Sequence, residues 1–335
     1  MKIGILGSGV IGLTTALELQ KEYPNATISI VADRFYKDTV SYVAAGIFRP
    51  GTAFSGPTEE ITKKWVADSF EHWDEIRKTA EASKAGITEL SGYIFSSISE
   101  SITRNPLIED VLPVYRRATE EELKICPGDW KYGSFFSTLV TECGLYLPWA
   151  TQKFLNAGGM VFNKKVNTFG DIYGDHDIVI NCTGMNAKEL CNDRKLVPVR
   201  GQILKVDAPW LKMAYYADYD TYIVPGFSAV TCGGCRNFES WDMKVSPHDT
   251  AAIKERCEAL VPGLKTAPLK EIRVGLRPHR DPCRVETEFI DIPNRGIMRI
   301  VHQYGHGGYG VTCAPGTAKH AVKLVRDVWT GYSKL

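Results

Sequence analysis

No stretch of the chain approaches the ~18 consecutive apolar residues that a membrane-spanning helix requires. Its opening, MKIGILGSG, reaches glycine too soon for the apolar core of a secretory leader, so the N-terminus is expected to belong to the fold. Charge of one sign is also missing. The 40 basic and 39 acidic residues leave a formal net charge of +1 and are mixed along the chain. That balance argues against the sustained basic field of a nucleic-acid binder. A disulfide framework is absent as well. The nine cysteines are odd in number and show no framework spacing, so without a leader they are expected to stay reduced. On the same expectation the sequons at Asn25 and Asn181 carry no sugar. There is no internal repeat and no low-complexity linker. What remains is a chain of 335 residues with 44% hydrophobic composition, enough for a substantial core and for two domains.

The opening carries the first positive signal. Lys2–Leu6 reads as a short strand, Gly7-Ser8-Gly9-Val10-Ile11-Gly12 as a glycine turn, and Leu13–Glu22 as a helix with one apolar face. Gly7 permits the tight turn, Gly9 lets backbone approach a pyrophosphate, and Gly12 lets helix and strand pack closely. The unpaired N–H groups of the helix N-terminus are then free for phosphate oxygens. A second strand is expected at Thr27–Val31. Asp33 follows it, about twenty residues beyond the glycines, where a carboxylate accepts bonds from ribose hydroxyls. This is a dinucleotide-binding pattern, and by itself it does not separate NAD from FAD.

Further along, the runs 58–64 and 119–124 have helical spacing and read as solvated helix faces, and Lys63–Ala82 reads as a helix. Asp177–Asn181 reads as a buried strand returning to the dinucleotide sheet. The segments 199–206 and 221–236 alternate, are punctuated by turns, and suggest a separate antiparallel sheet. A strand near Met298–Val301, a glycine loop and a helix from about Pro315 to Thr330 complete the reading. The CxxC of residues 232–235 lies in a predicted strand without a second pair, so no metal site is expected.

Several distant segments together resemble the D-amino acid oxidase and D-aspartate oxidase family. They are VADRF (31–35), VAAG (43–46), YLPW (146–149), NCTG (181–184), VRGQ (199–202), TYIVPG (221–226), GLRP (275–278) and YGHGGYG (304–310). The resemblance implies an α/β fold, with a Rossmann-like FAD-binding domain interleaved with a mixed-sheet α+β substrate domain. Residues 1–50, 142–190 and 285–332 would form the FAD-binding domain, and 51–141 and 191–284 the substrate-binding domain. FAD would be held noncovalently, with no tether through Cys313. Gly7, Gly9, Val10, Ile11 and Gly12 would meet its pyrophosphate, Asp33 and Arg34 its ribose, and Val40 and Ser41 its phosphate region. Ala45, Gly46 and Ile47 would line the isoalloxazine, Val166 would meet the adenine, and Thr183 is a further contact. Gly307, Gly308, Tyr309, Gly310, Val311 and Thr312 would form a second glycine loop against the flavin. There the partial positive charge of the last helix's N-terminus would favour negative charge developing on the ring.

The same resemblance implies oxidative deamination of a D-amino acid. Hydride passes from Cα to flavin N5, and the products are a 2-oxo acid, ammonia and hydrogen peroxide. Arg277 matches the carboxylate clamp, Tyr222 a second carboxylate contact, and the carbonyl of Gly308 the acceptor of the substrate amine. His306 is read as positioning its loop. Asp218 stands where the neutral-substrate branch carries a lid tyrosine. Arg236 matches an arginine of the acidic branch, and Arg49 adds another cation. Tyr215 cuts the other way, because the acidic branch often carries a lid arginine there. On balance D-aspartate, with D-glutamate beside it, is the expected substrate, and neutral or basic D-amino acids are the alternative. A secondary-amine or glycine oxidase, a nicotinamide dehydrogenase and a non-catalytic flavoprotein stay open. The chain ends Ser333-Lys334-Leu335, a tripeptide read by the peroxisomal import receptor, so a peroxisomal location is expected. Molecular oxygen would be the co-substrate, and no membrane or nucleic-acid partner is expected.

Overall fold

The structure, a computed structural model, describes residues 1–331. The chain begins as anticipated, with β1 (Lys2–Leu6), α1 (Val10–Glu22) and β2 (Thr27–Ala32). It then leaves this unit through α2 (Glu59–Arg77), β3 (Ile87–Ser96), α3 (Glu100–Thr103), β4 (Val114–Arg117) and β5 (Tyr132–Thr141). It returns with α4 (Cys143–Asn156), β6 (Met160–Asn163), β7 (Ile178–Asn181) and α5 (Ala187–Leu190). A second excursion comprises β8 (Val197–Val206), β9 (Ala214–Ala217), β10 (Thr221–Pro225), β11 (Val230–Gly233), β12 (Asn237–Phe238) and α6 (Pro247–Leu260). The long strands β13 (Leu269–Ile292) and β14 (Gly296–His306) and the helix α7 (Gly310–Thr330) close the chain.

Strands β14, β7, β1, β2 and β6 lie side by side in parallel. The central ones read as continuous apolar runs because both faces are covered: Ile3, Ile5, Ile28, Ile30, Ile178 and Ile180 are all buried. Helices α1, α4 and α7 pack together over one side. The other strands follow in the order β4, β5, β3, β9, β10, β11, β8, β13, mostly antiparallel, and α6 packs on β8, β10 and β11. The expected separate antiparallel sheet is therefore not separate. The first part of β13 pairs with β8, its last part pairs with β14, and a register break falls between His279 and Arg284. One strand of 24 residues is long enough to belong to both regions and carries the hydrogen bonding from one to the other.

Three local expectations are corrected. The run 119–124 is a single turn, because Glu122 bonds back to Arg116 of β4 (2.7 Å) and to the Tyr93 hydroxyl (3.0 Å). The helix of residues 63–82 starts earlier, at Glu59, where Thr58 caps it by accepting the Ile61 N–H, and it ends at Arg77. The last helix begins at Gly310 rather than near Pro315. Proline inside a helix leaves backbone groups without partners. Here α2 satisfies them: Ser69 Oγ accepts the Gly316 N–H (2.8 Å), and Trp73 Nε1 donates to the Thr312 carbonyl (3.3 Å).

Candidate active site

A cavity of about 470 Å³ runs between the two regions, bounded by the C-terminal ends of β1 and β2, by β8, β10 and β13, and by the start of α7. At one end the chain turns at Gly7, whose φ of +104° suits glycine, and a Cβ there would lie 2.6 Å from the Cys182 carbonyl oxygen. Gly9 caps α1 without a side chain, and the first turn holds no acidic residue. Ser41 Oγ accepts the Val10 N–H (3.0 Å), which leaves the next amides for an external acceptor. Gly12 does not line the cavity; a Cβ there would strike the Gly7 carbonyl, so its place is behind the turn, where helix and strand touch. Asp33, Arg34, Val40, Val166 and Thr183 do line it. Thr183 Oγ1 donates to Asn181 Oδ1 (2.7 Å), and the Nδ2 of the same amide faces Nδ1 of the buried His302 (3.3 Å).

A second helix N-terminus faces the same space. Gly307 to Thr312 line the wall, Tyr309 caps α7 without a side-chain bond, and no acidic residue stands in its first turn. Two helix ends without capping carboxylates, the glycine-walled cradle at Gly7 and a carboxylate at Asp33 fit a long anionic dinucleotide such as FAD. Cys313 is fully buried and does not line the cavity, which fits a cofactor held without a covalent bond. The nine cysteines are free thiols, and no group of metal-ligating side chains occurs among the described residues.

At the opposite end stand Arg277, Tyr222, Arg49 and Arg236. Arg277 projects from β13, and its Nη1 donates to the carbonyls of Cys235 (3.0 Å) and Arg200 (3.5 Å). It has no carboxylate partner among the described residues. Two glycines make room for it. The guanidinium lies where Gly201 would carry a Cβ, and a Cβ on Gly308 would come within 3.3 Å of Arg277 Cδ. Tyr222 on β10 lies against Gly233 and Gly234 in the same way. Burial holds its phenol above the usual range, so it stays protonated and can donate. Arg49 lies over the ring of Tyr216 at 4.4 Å, and its Nε is buried without a hydrogen-bond partner among the described residues. Arg236 is different: it is half exposed at the rim and pairs with Asp220 Oδ1 (2.8 Å).

His306 is buried and held by Thr317 Oγ1 (3.0 Å). Burial lowers its pKa to about 3, so the ring is neutral, and its hydrogen bond to Thr317 ties the loop to α7.

Counting along the chain missed Tyr216. The sequence comparison turned on position 215, but Tyr215 lies on the other face of β9, stacked on Tyr93 (ring centroids 6.4 Å apart). Side chains alternate along a strand, so the neighbour Tyr216 faces the cavity, in register with Tyr222. The alternation was legible in the sequence, but its phase was not. Asp218 is no lid residue either. It is buried, accepts the N–H and Oγ–H of Ser97 (2.8 Å each), and closes a hairpin with only residues 218–220 between β9 and β10. Ser333, Lys334 and Leu335 lie outside the described residues.

Known proteins resemble this chain in sequence and in fold. A family profile described as FAD dependent oxidoreductase matches residues 2–324. The D-aspartate oxidase of Homo sapiens is 37% identical over 97% of this chain and 95% of its own length. The D-amino acid oxidase of Dugesia ryukyuensis is 31% identical over 98% of each chain. Among solved structures, glycine oxidase from Geobacillus kaustophilus superposes with a TM-score of 0.78 at 19% identity, covering 97% of this chain and 94% of its own. At that identity the likeness concerns the fold.

Proposed function

The chain belongs to the FAD dependent oxidoreductase family, and from that premise we propose that it oxidatively deaminates acidic D-amino acids, D-aspartate foremost. The observation that carries the substrate class is the charge at the far end of the cavity. Three guanidinium groups stand there, and two of them, Arg277 and Arg49, have no carboxylate partner among the described residues. A neutral amino acid brings one carboxylate, and an acidic one brings two.

Arg277 grips the α-carboxylate with the edge of its guanidinium that β8 and Cys235 leave free, and the Tyr222 hydroxyl donates to the same group. The Gly308 carbonyl accepts from the substrate amine. Arg49, with Arg236 at the rim, answers the side-chain carboxylate. FAD would be held along the Gly7–Ile11 turn, Asp33, Arg34, Val40, Ser41, Ala45–Ile47, Val166, Thr183 and the Gly307–Thr312 loop, and when bound would supply two-electron acceptor chemistry. The protein's share is alignment: Arg277 and Gly308 hold the two ends of the Cα centre so that its C–H bond keeps one direction. The neutral His306 neither competes for the carboxylate nor needs a counter-charge. In the same reading residues 1–50, 142–190 and 285–332 hold the cofactor, and 51–141 with 191–284 shape the substrate end.

The test is an anaerobic titration of the purified holoprotein. D-Aspartate should bleach the flavin absorption at lower concentration than D-glutamate, and far lower than D-alanine. Bleaching by D-alanine at equal or lower concentration would overturn the acidic preference, and no bleaching by any of them would overturn the activity.

We also propose that Ser333-Lys334-Leu335 addresses the protein to peroxisomes, where its peroxide is contained. A fluorescent fusion ending in these residues should appear in puncta with a peroxisomal marker, and removal of Leu335 should leave it diffuse. A punctate truncated fusion would refute the assignment.

A further inference from the structure

Arg236 already has a carboxylate. Its Nη2 lies 2.8 Å from Asp220 Oδ1, with the two side chains 55% and 37% exposed at the mouth of the cavity. Asp220 is the last residue of the hairpin between β9 and β10, and the hairpin is pinned on both sides. Asp218 is buried and holds Ser97, while the Asp220 carbonyl accepts the Gly234 N–H at 2.7 Å. The Asp220 carboxylate is therefore tethered beside Arg236 by the side-chain anchor of Asp218 and the backbone anchor of Asp220 itself. The segment that carries Arg236 is fixed as well. Asn237 and Phe238 of β12, directly after Arg236, pair with Arg200 and Val199 of β8, and the Cys235 carbonyl before it accepts from Arg277 Nη1 at 3.0 Å. Neither partner can leave by moving its backbone far, so the pair can only exchange side-chain contacts.

Taking the acidic-substrate reading as its basis, we propose that Asp220 is a built-in competitor for Arg236, which the second carboxylate of a substrate must displace. Both carboxylates offer the guanidinium the same bond. The rim position keeps the exchange inexpensive, because an ion pair this exposed contributes only a small net free energy. Arg49 has no such internal partner among the described residues, so the two cations divide the work. Arg49 answers the side-chain carboxylate directly, and Arg236 engages only a ligand whose carboxylate can outcompete Asp220. Asp220 thus sets how strongly the site favours a dicarboxylate, without touching the α-carboxylate clamp.

The test uses the holoprotein and two ligands that lack the amine. Succinate carries both carboxylates of aspartate, and propionate carries one. Binding is read as perturbation of the flavin absorption. Asp220→Asn suits the position, because its φ of +60° is one that asparagine tolerates. Asp220→Gly, equally at ease there, is the second variant. Both should tighten succinate by roughly two- to fivefold, the worth of one exposed ion pair, and leave propionate unchanged. In an Arg236→Gln background the gain should vanish, since the competitor then has nothing to release. Succinate binding that is unchanged or weaker in both variants would overturn the proposal, as would equal gains for both ligands. The acidic-substrate reading fails on a different result: wild-type protein binding succinate no more tightly than propionate.

Discussion

Replacing Arg277 with alanine is expected to lower kcat/KM for D-aspartate by roughly a thousandfold, about 4 kcal/mol, the cost of truncating one partner of a desolvated, hydrogen-bonded charge pair. The guanidinium is the only cation at the substrate end that β8, Gly308 and the Cys235 carbonyl hold in one place. Its loss leaves the α-carboxylate facing the Tyr222 hydroxyl alone. Arg277→Lys keeps the charge but loses the planar fork, and should recover only about tenfold of the loss. FAD content should be unchanged in both, because Arg277 lies at the far end from the Gly7 turn. Gly201→Ala should reproduce much of the defect without touching the arginine, since its methyl group would occupy the place of the guanidinium. Steady-state kinetics with flavin absorption as the loading control decide the matter. An Arg277→Ala enzyme within tenfold of wild type would place the clamp elsewhere.

The second large effect concerns Arg49. Arg49→Leu should lower kcat/KM for D-aspartate by roughly a hundredfold, about 2.7 kcal/mol, and change D-alanine turnover by less than about threefold. A guanidinium with a buried Nε that has no hydrogen-bond partner, and with no carboxylate beside it among the described residues, is an unfavourable arrangement. The ring of Tyr216 offsets part of that cost through the face it presents at 4.4 Å. A substrate's second carboxylate would offset the rest, so the interaction is worth most to an acidic substrate. The ratio of the two substrates' kcat/KM values is therefore the informative quantity. Equal losses for D-aspartate and D-alanine would instead make Arg49 a shaping residue of the cavity.

Much of the cofactor end was legible before any coordinates. The turn Gly7–Gly12, the strand before it and the helix after it are contiguous, so local spacing alone assembles the anion cradle. The Gly307–Thr312 loop is contiguous in the same sense. Gly12, which the pattern assigns to helix–strand packing, lies behind the turn, where a Cβ would strike the Gly7 carbonyl. The start of α7 was hidden because Pro315 reads as a helix boundary. Only Ser69 and Trp73, some 240 residues earlier in the chain, supply the partners that let the helix run through it.

The substrate end divides the two kinds of knowledge most sharply. By itself the sequence determined the chemistry available: a glycine turn for phosphates, a guanidinium in GLRP, a tyrosine in TYIVPG, and further arginines at 49 and 236. These are matters of residue type and short spacing, and they follow from covalent neighbours. Only the tertiary structure decided which of the arginines are unpaired. Arg236 meets Asp220 because β10 and β11 pair antiparallel and bring the two ends of that hairpin together. Arg49 is left over Tyr216 because β9 presents that side chain, and not Tyr215, to the cavity. Strand phase and ion pairing depend on which segments fold against each other, and a charge's availability to a ligand is the remainder after every internal partner has been satisfied.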